Sequence, residues 1–463
     1  MESTLSLAEL AAATDGRVVS GSSHAGFTGV SIDSRTLKLG ELFVAITGPR
    51  FDGHQFVAEV AAKGAAAAVV HHDVPQAGAL PLVRVADTTR ALADLARHVR
   101  RATTIPVVAI TGSMGKTTTK EITAAMLASR GPVLKTEGNF NNQYGLPLSL
   151  LRLRPEHTAA VLELGMSAAG ELRALSAIAE PDVAVITNVA PVHLEFFSSL
   201  DAIAAAKAEV LEGLRREGCA VLNADDPRVR RSGEAHGGRV VWFGRDRRCD
   251  VSAENWRGTA FGMRFDLVIE GRSVDVALPL PGPHYVMDFL AAAGVAHSLG
   301  LAPEAMAEAA TQVRPAPHRG QVLRLRGGVT LIDDAYNASP EAVRAALVAL
   351  GMAGGKRQVV FLGDMLELGP SGPELHREVG RAVGQQAQLL VAVGAQGGAL
   401  VEGARSAGLG AEAAREFADS AAAAAAAPSL VAPGDAVLVK GSRGMRMERV
   451  VQALVARLGL VDG

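Results

Sequence analysis

Cysteine is almost absent: Cys219 and Cys249 are the only two in 463 residues. They are too few for a disulfide framework and lack the paired spacing of a zinc finger, which fits a reducing cytoplasm. An excess of either charge is also missing. Lys and Arg total 46 against 48 Asp and Glu, a net charge of −2. No broad field exists to gather nucleic acid or anionic lipid. Apolar stretches are broken by charge, Gly, Pro or His before about 18 residues, so no membrane span is expected. The first residues carry Glu2 and Glu9 and no basic leader ahead of an apolar core, so no secretory signal is expected. No repeat of solenoid period is found. What remains is a chain 48% hydrophobic and 20% charged, of globular class and long enough for two to four domains.

Three divisions follow from the pattern: residues 1–86, 87–315 and 316–463. In the first, Glu41–Ile46 reads as a buried strand, Gly53-His54-Gln55-Phe56 opens a helix, and Ala65–Val70 is a second strand. In the second, a helix Thr89–Arg101 leads to an apolar strand Pro106–Ile110, a Gly-rich turn and a helix Thr117–Ser129. Apolar runs Ala159–Leu164, Val183–Thr187 and Ala220–Asn223 follow, with helices between them, including Asp201–Leu214. Continuous apolar strands alternating with helices predict a parallel sheet covered on both faces. The third begins after the proline-broken linker Val313-Arg314-Pro315-Ala316-Pro317. Strands at Val329–Ile332, Val359–Leu362, Leu389–Val393 and Ala436–Val439 predict a second doubly wound unit. The run Ala421–Ala427 reads as a surface helix.

The strongest local signal is Ile110-Thr111-Gly112-Ser113-Met114-Gly115-Lys116-Thr117-Thr118. It follows a buried strand and opens a helix, the context in which backbone N–H groups and a helix N-terminus hold phosphates. Lys116 would reach the β- and γ-phosphates, and the Thr117 hydroxyl would ligate magnesium. The loop is shorter than the general pattern, whose leading glycine would fall at Ile110. Alone, it implies a nucleotide and nothing more.

The form Thr-Gly-x-x-Gly-Lys-Thr-Thr resembles that of the Mur ligase family, the ATP-dependent amide ligases of peptidoglycan synthesis. Further segments resemble the family in the same order: Asp33-Ser34-Arg35 through Gly53-His54, then Thr136–Asn142 with Gly145-Leu146-Pro147. Glu163–Met166, Ile186–Val189, His193-Leu194-Glu195 and Ala206-Lys207 continue it. Asp333–Pro340, Leu362–Gly369 and Lys440–Arg446 resemble the branch that adds a dipeptide. The resemblance covers nearly the whole chain. It implies an α/β protein of three domains: a small UDP-substrate domain, a central P-loop ATPase with a parallel sheet, and a Rossmann-like C-terminal domain. It also implies ATP and two Mg2+ ions, with a UDP-N-acetylmuramoyl tripeptide and D-alanyl-D-alanine as substrates joined through an acyl phosphate. A cytoplasmic monomer with no nucleic-acid partner is expected.

The resemblance also carries roles onto particular residues. Gly112, Ser113, Gly115, Lys116, Thr117 and Thr118 would hold the phosphates. Glu163 would bind the first Mg2+ beside Thr117. His193 and Lys207 would bind the second, once carbamylation has turned that lysine into an anion; without the resemblance, a lone helical lysine reads as a solvated surface group. Arg319 would reach ATP, Asp334 the ribose, and His284 and Asp288 the adenine. Ser31, Ser34, Arg35, His54, Asn139 and Asn142 would contact the UDP substrate. Tyr336 and Asn337 would hold the dipeptide, with charge from Lys440 and Arg443. The catalytic set is then Lys116, Lys207, His193 and Arg319.

Two departures stand out. The usual His-Asn-x-x-Asn is His284-Tyr285-Val286-Met287-Asp288 here, and Ser339 replaces an asparagine in Tyr-Asn-Ala-Asn-Pro. Asp225-Asp226-Pro227-Arg228 resembles a sibling's amino-acid-selecting motif, but it lies in the wrong division and reads as a turn. The rival functions are another ligase of this superfamily, such as a folylpolyglutamate synthase, and a nucleotide-regulated binding protein that makes no bond.

Overall fold

A strand presents successive side chains to opposite faces of its sheet, and here both sets are apolar. Val359 and Phe361 pack with Val437 and Val439 on one side, while Val360 and Leu362 pack with Leu390 and Leu438 on the other. Burial on both faces belongs to a parallel sheet covered by helices. The computed structural model, which describes residues 5–49, 51–192, 194–259 and 261–461, contains that sheet. Its order is Gln321–Leu325, Val329–Asp334, Ala436–Lys440, Gln358–Gly363, Leu389–Val393 and Ala414–Phe417. The first strand is antiparallel to its neighbour and the rest run parallel. Helix Pro340–Met352 covers one face with Val343, Leu347 and Leu350. It begins where Ser339 caps it and Pro340 fills the first helical position. Helix Glu448–Leu458 covers the other face with Val450, Val451 and Leu454. The alanine run forms part of helix Ser420–Leu430, with Ala423 and Ala427 buried one turn apart. Removing a ring such as Phe361, wholly buried, would cost about 3–5 kcal/mol.

The chain folds as two units. The sheet above belongs to the one made of Gly112–Ser129, Val185–Lys207 and everything from Val221 on. The same unit holds Arg239–Gly244 parallel to Val251–Thr259, followed by antiparallel Gly262–Ile269 and Arg272–Leu278. This meander departs from the all-parallel expectation for the central division. Its strands alternate polar and apolar residues, as in Met263-Arg264-Phe265-Asp266-Leu267, and one side is exposed, so they show no continuous apolar run.

The other unit comprises the chain to Thr111, Arg130–Ala184 and Ala208–Ala220. Its five-stranded sheet runs Arg17–Ser20, Leu82–Arg84, Ala67–Val70, Leu42–Val44, Val30–Ser31. Leu42, Val44 and Val69 face Leu7, Leu10, Leu92 and Leu95, whereas Phe43, Ala68 and Val70 face Val57 and Val60. Strands Val133–Lys135, Ala159–Glu163 and Val107–Thr111 lie parallel in that order. Two local expectations are corrected. The helix expected over Asp201–Leu214 is Leu200–Ala208 followed by a 3-10 turn Glu209–Gly213, so Lys207 stands in its last turn. Asp226 is the cap of helix Pro227–Glu234 rather than part of a free turn.

Candidate active site

The phosphate loop is shaped by two glycines that no other residue could replace. Gly112 and Gly115 have φ of 149° and 81°. A Cβ on Gly112 would stand 1.8 Å from Thr187 Oγ1, and one on Gly115 2.0 Å from Asp288 Oδ1. The loop is then pinned by the segment after strand Val183–Ile186. Asn188 accepts from Ser113 N at 3.0 Å through its carbonyl and from Met114 N at 3.0 Å through its side chain. Thr187 Oγ1 donates to Met114 O, and Ala190 N donates to Ser113 Oγ. Asp226 braces this segment in turn, accepting from Val189 N at 2.7 Å. With the Ser113 and Met114 amides engaged, anion binding falls to the positive end of helix Lys116–Leu127. The Lys116 ammonium donates to Gly112 O at 2.7 Å and Ser113 O at 3.3 Å, at the mouth of the loop.

A cavity of about 820 Å³ opens on this loop. Of the residues singled out in the sequence, it is lined by Ser113, Gly115, Lys116, Thr118, His284, Asp288, Arg319, Asp334, Asn337, Lys440 and Arg443. One cavity therefore gathers groups up to 330 residues apart in the chain. Lys440, at the end of its strand and pairing in register with Asp334, binds that carboxylate and donates to Asn337 O at 2.9 Å. Tyr336 lies beneath two cations: the Arg319 guanidinium carbon is 3.9 Å from the ring centroid and that of Arg443 is 5.5 Å away. The Leu362–Gly369 segment holds this corner together. Ser442 N donates to Asp364 O, Leu366 N donates to Ser442 Oγ, and the Asp364 carboxylate accepts from Ala395 N and Gln396 N. Ser339 caps its helix and its hydroxyl meets Met114 Sδ at 3.5 Å, so it has a local role of its own.

Burial sets the protonation of the apolar side. His284 is pushed down to about 3 by burial, then by the nearby Lys440, so it is neutral. Its buried Nδ1 has no hydrogen-bond partner among the described residues. Such an atom costs about 1–3 kcal/mol unless a ligand satisfies it. Burial also raises Asp288 well above the carboxylate range, against the opposing charge of Arg319. A neutral carboxyl carries one donor and one acceptor, the same pair that an asparagine amide presents. Tyr285 donates to Arg319 O at 3.2 Å and closes against Gly320, whose Cβ would lie 1.9 Å from the phenol oxygen.

Lys207 is only 2% exposed, which overturns the surface reading of a lone helical lysine. Burial holds its ammonium well below the usual lysine range, and the charge of Lys116 adds to the shift. Thr117 stands in the first turn of helix Lys116–Leu127. His193 lies outside the described residues.

In the other unit, Glu163 ends strand Ala159–Glu163, is 3% exposed, and accepts from Asn141 Nδ2 at 2.8 Å. Asn142 accepts from Tyr144 N and Gly145 N, starting helix Gly145–Leu150. Asn139 is exposed beside them. Ser31 exchanges hydrogen bonds with the Asp33 backbone, Ser34 O accepts from Lys63, and Arg35 pairs with Asp33 while largely exposed. His54 is buried and bonded to Asp52.

Sequence reasoning missed several lining residues: Asn223, which ends an apolar strand, and Arg245, stacked 5.4 Å from Trp256; Asn188 was matched within Ile186–Val189 but given no role. Trp256 is one of two tryptophans in the chain, and that scarcity was the available signal.

Fold and cavity define an α/β enzyme that works on a nucleoside triphosphate. Three family models match in order: "Mur ligase family, catalytic domain" over residues 26–100, "Mur ligase middle domain" over 110–296, and "Mur ligase, glutamate ligase domain" over 318–443. The UDP-N-acetylmuramoyl-tripeptide--D-alanyl-D-alanine ligase of Escherichia coli K12 is 39% identical, covering 92% of this chain and 93% of its own. MurF of Acinetobacter baumannii superposes with a TM-score of 0.90 at 33% identity, covering 98% and 99%. MurF of Thermotoga maritima, solved with ADP, gives 0.83 at 30%, covering 93% and 97%. The chain belongs to the Mur ligase family and is an ATP-dependent amide ligase.

Proposed function

We infer that the chain joins D-alanyl-D-alanine to a UDP-N-acetylmuramoyl tripeptide, using ATP, in peptidoglycan precursor synthesis. The observation that carries this is the single cavity shared by the phosphate loop, the neutral His284–Asp288 wall and the Lys440–Asp334–Asn337 corner. The orphaned His284 Nδ1 and the amide-like Asp288 carboxyl suit a purine edge. That is why ATP use survives the departure from the usual asparagines.

The reaction begins when the tripeptide's terminal carboxylate attacks the γ-phosphorus, forming an acyl phosphate and releasing ADP. The neutral amine of the dipeptide then attacks the acyl carbon. An amide forms, phosphate leaves with one former carboxylate oxygen, and the amine loses a proton. Bringing two anions together is the main obstacle, and Lys116 offsets it at the phosphates. Arg319 and Arg443, over Tyr336, add positive charge at the far wall. Placing three reactants in one cleft away from water supplies much of the remaining rate.

Two Mg2+ ions are part of this reading, and bound there they would screen charge between triphosphate and carboxylate. The Thr117 hydroxyl and the Glu163 carboxylate are the hard oxygen donors that Mg2+ prefers. An amine is not such a donor, so Lys207 suits the second ion, with His193, only as a carbamate. Burial favours that modification, because the neutral amine is the form that adds CO2 and loses a proton. Ser31, Ser34, Arg35, His54, Asn139 and Asn142 contact the UDP portion, and Tyr336 and Asn337 the dipeptide. We further propose domains at 1–86, 87–315 and 316–463, and a monomer working in the cytoplasm, where ATP and UDP-linked precursors are made. Among the described residues, no helix is long and apolar enough to cross a membrane.

Phosphate release should be negligible with either the UDP-tripeptide or D-Ala-D-Ala alone and rise at least about tenfold with both. Release that ignores the dipeptide would favour a nucleotide-regulated binding protein. Turnover with a single amino acid in its place would favour a sibling ligase.

A further inference from the structure

Among the described residues, three histidines converge in the unit that does not hold the cavity. The candidate ligand atoms of His54, His71 and His72 all lie within 4.8 Å of one another. His54 stands in the 3-10 turn Gly53–Phe56, and the other two follow strand Ala67–Val70. The rings of His54 and His72 stack with centroids 4.0 Å apart, and His71 meets His54 edge-on at 4.3 Å.

Hydrogen bonds settle where the electron pairs are. His54 Nε2 accepts from the backbone N–H of His71 at 3.1 Å, so its proton is on Nδ1, which donates to Asp52 Oδ1 at 2.6 Å. His72 Nδ1 lies 3.0 Å from Asp73 O, an acceptor only, so it too carries the proton on Nδ1 and a lone pair on Nε2. That lone pair faces the second oxygen of Asp52, 3.7 Å away. With the ring neutral, that lone pair has no donor among the described residues. The ring nitrogens of His71 make no hydrogen bond to a described residue. A carboxylate that fixes the Nδ1–H of a histidine and leaves Nε2 to ligate is a recurrent arrangement at metal sites.

We propose that His54, His71 and His72 bind a transition-metal dication such as Zn2+ or Ni2+, with Asp52 orienting His54. Imidazole suits these ions and not Mg2+, which separates the site from the catalytic one. Tetrahedral coordination at about 2.0–2.1 Å puts ligand nitrogens about 3.3 Å apart, so the cluster must contract. His72, whose side chain is 47% exposed, can turn inward. The ion replaces the His71 N–H as the partner of His54 Nε2. It thereby ties the Phe51–Phe56 loop to the end of strand Ala67–Val70. The proposal does not rest on the ligase assignment, and with the ion bound His54 serves as its ligand in place of a direct contact to the UDP portion.

Zn2+, Ni2+ and Mg2+ should be titrated calorimetrically into the full chain, with melting temperature and the visible spectrum of added Co2+ as further readouts. We expect one Zn2+ or Ni2+ site that excess Mg2+ does not displace, a rise in melting temperature, and tetrahedral Co2+ absorption. His71→Gln/His72→Gln should weaken binding at least about tenfold and abolish the melting shift. Asp52→Asn should weaken it less. Equal binding by wild type and the double variant, or displacement by Mg2+, would overturn the proposal. So would octahedral Co2+ bands in the wild type, a reading that needs no variant.

Discussion

Lys207→Ala should lower turnover by roughly 10²–10³-fold, the scale of losing one group that stabilises charge in the reacting centre. Acetate or formate should restore part of it, since a small carboxylate can fill the space of the lost carbamate. The same change should leave the folded protein no less stable near neutral pH. Burial depresses the folded-state value of this lysine below its ordinary 10.5. The unfolded chain therefore binds more protons than the native one at any pH between those values. The resulting penalty is present near pH 7, shrinks as pH rises through the window between the folded and unfolded values, and is gone above the unfolded one. Alanine removes it, so calorimetry should show an unchanged or raised melting temperature beside the lost activity. Full activity in the plain variant would take Lys207 out of the metal site. Lost activity with a lowered melting point and no rescue would mean that the helix had simply been damaged.

Lys116→Met should reduce kcat/KM by about 10³-fold or more, equivalent to about 4 kcal/mol of transition-state stabilisation. Methionine keeps the length of the chain and removes only the charge. The loop conformation should survive, because it is set by Gly112, Gly115 and the Asn188 bonds rather than by the ammonium. Arginine should not substitute. The lysine head sits within 2.7 Å of the Gly112 carbonyl, where a planar guanidinium has no room to turn. Steady-state kinetics over a range of ATP concentrations decides the matter. A variant that loses only ATP affinity, with kcat intact, would make Lys116 a binding group without a part in the transfer.

The parallel strands were legible because burial on both faces leaves an unbroken apolar signature, as in Val107–Thr111 or Leu389–Val393. The meander Val251–Leu278 was not, because one wet side breaks that signature into alternation. Glycines of the phosphate loop showed themselves as sequence, but their reason did not. Only the fold reveals that Thr187 and Asp288 occupy the space a side chain would need. Asp288 was legible as a departure and illegible in its protonation, which depends on burial that spacing cannot report. Lys207 shows the same limit more sharply, since its local pattern is that of a solvated helix face and its environment is nearly dry. Leu362–Gly369 could be matched as a motif without showing why it exists. Its work is to fasten Ser442, beside Lys440 and Arg443, through backbone bonds to Asp364 and Leu366.

Transfer of a carboxylate oxygen to phosphate is the step on which the whole assignment turns. The UDP-tripeptide should be prepared with its terminal carboxylate labelled by oxygen-18 and turned over with ATP and D-Ala-D-Ala, and the released phosphate analysed by mass spectrometry. One labelled oxygen should appear in each phosphate, the other remaining in the new amide carbonyl. Phosphate carrying no label, with the pentapeptide still formed, would contradict activation of the acid at this cavity.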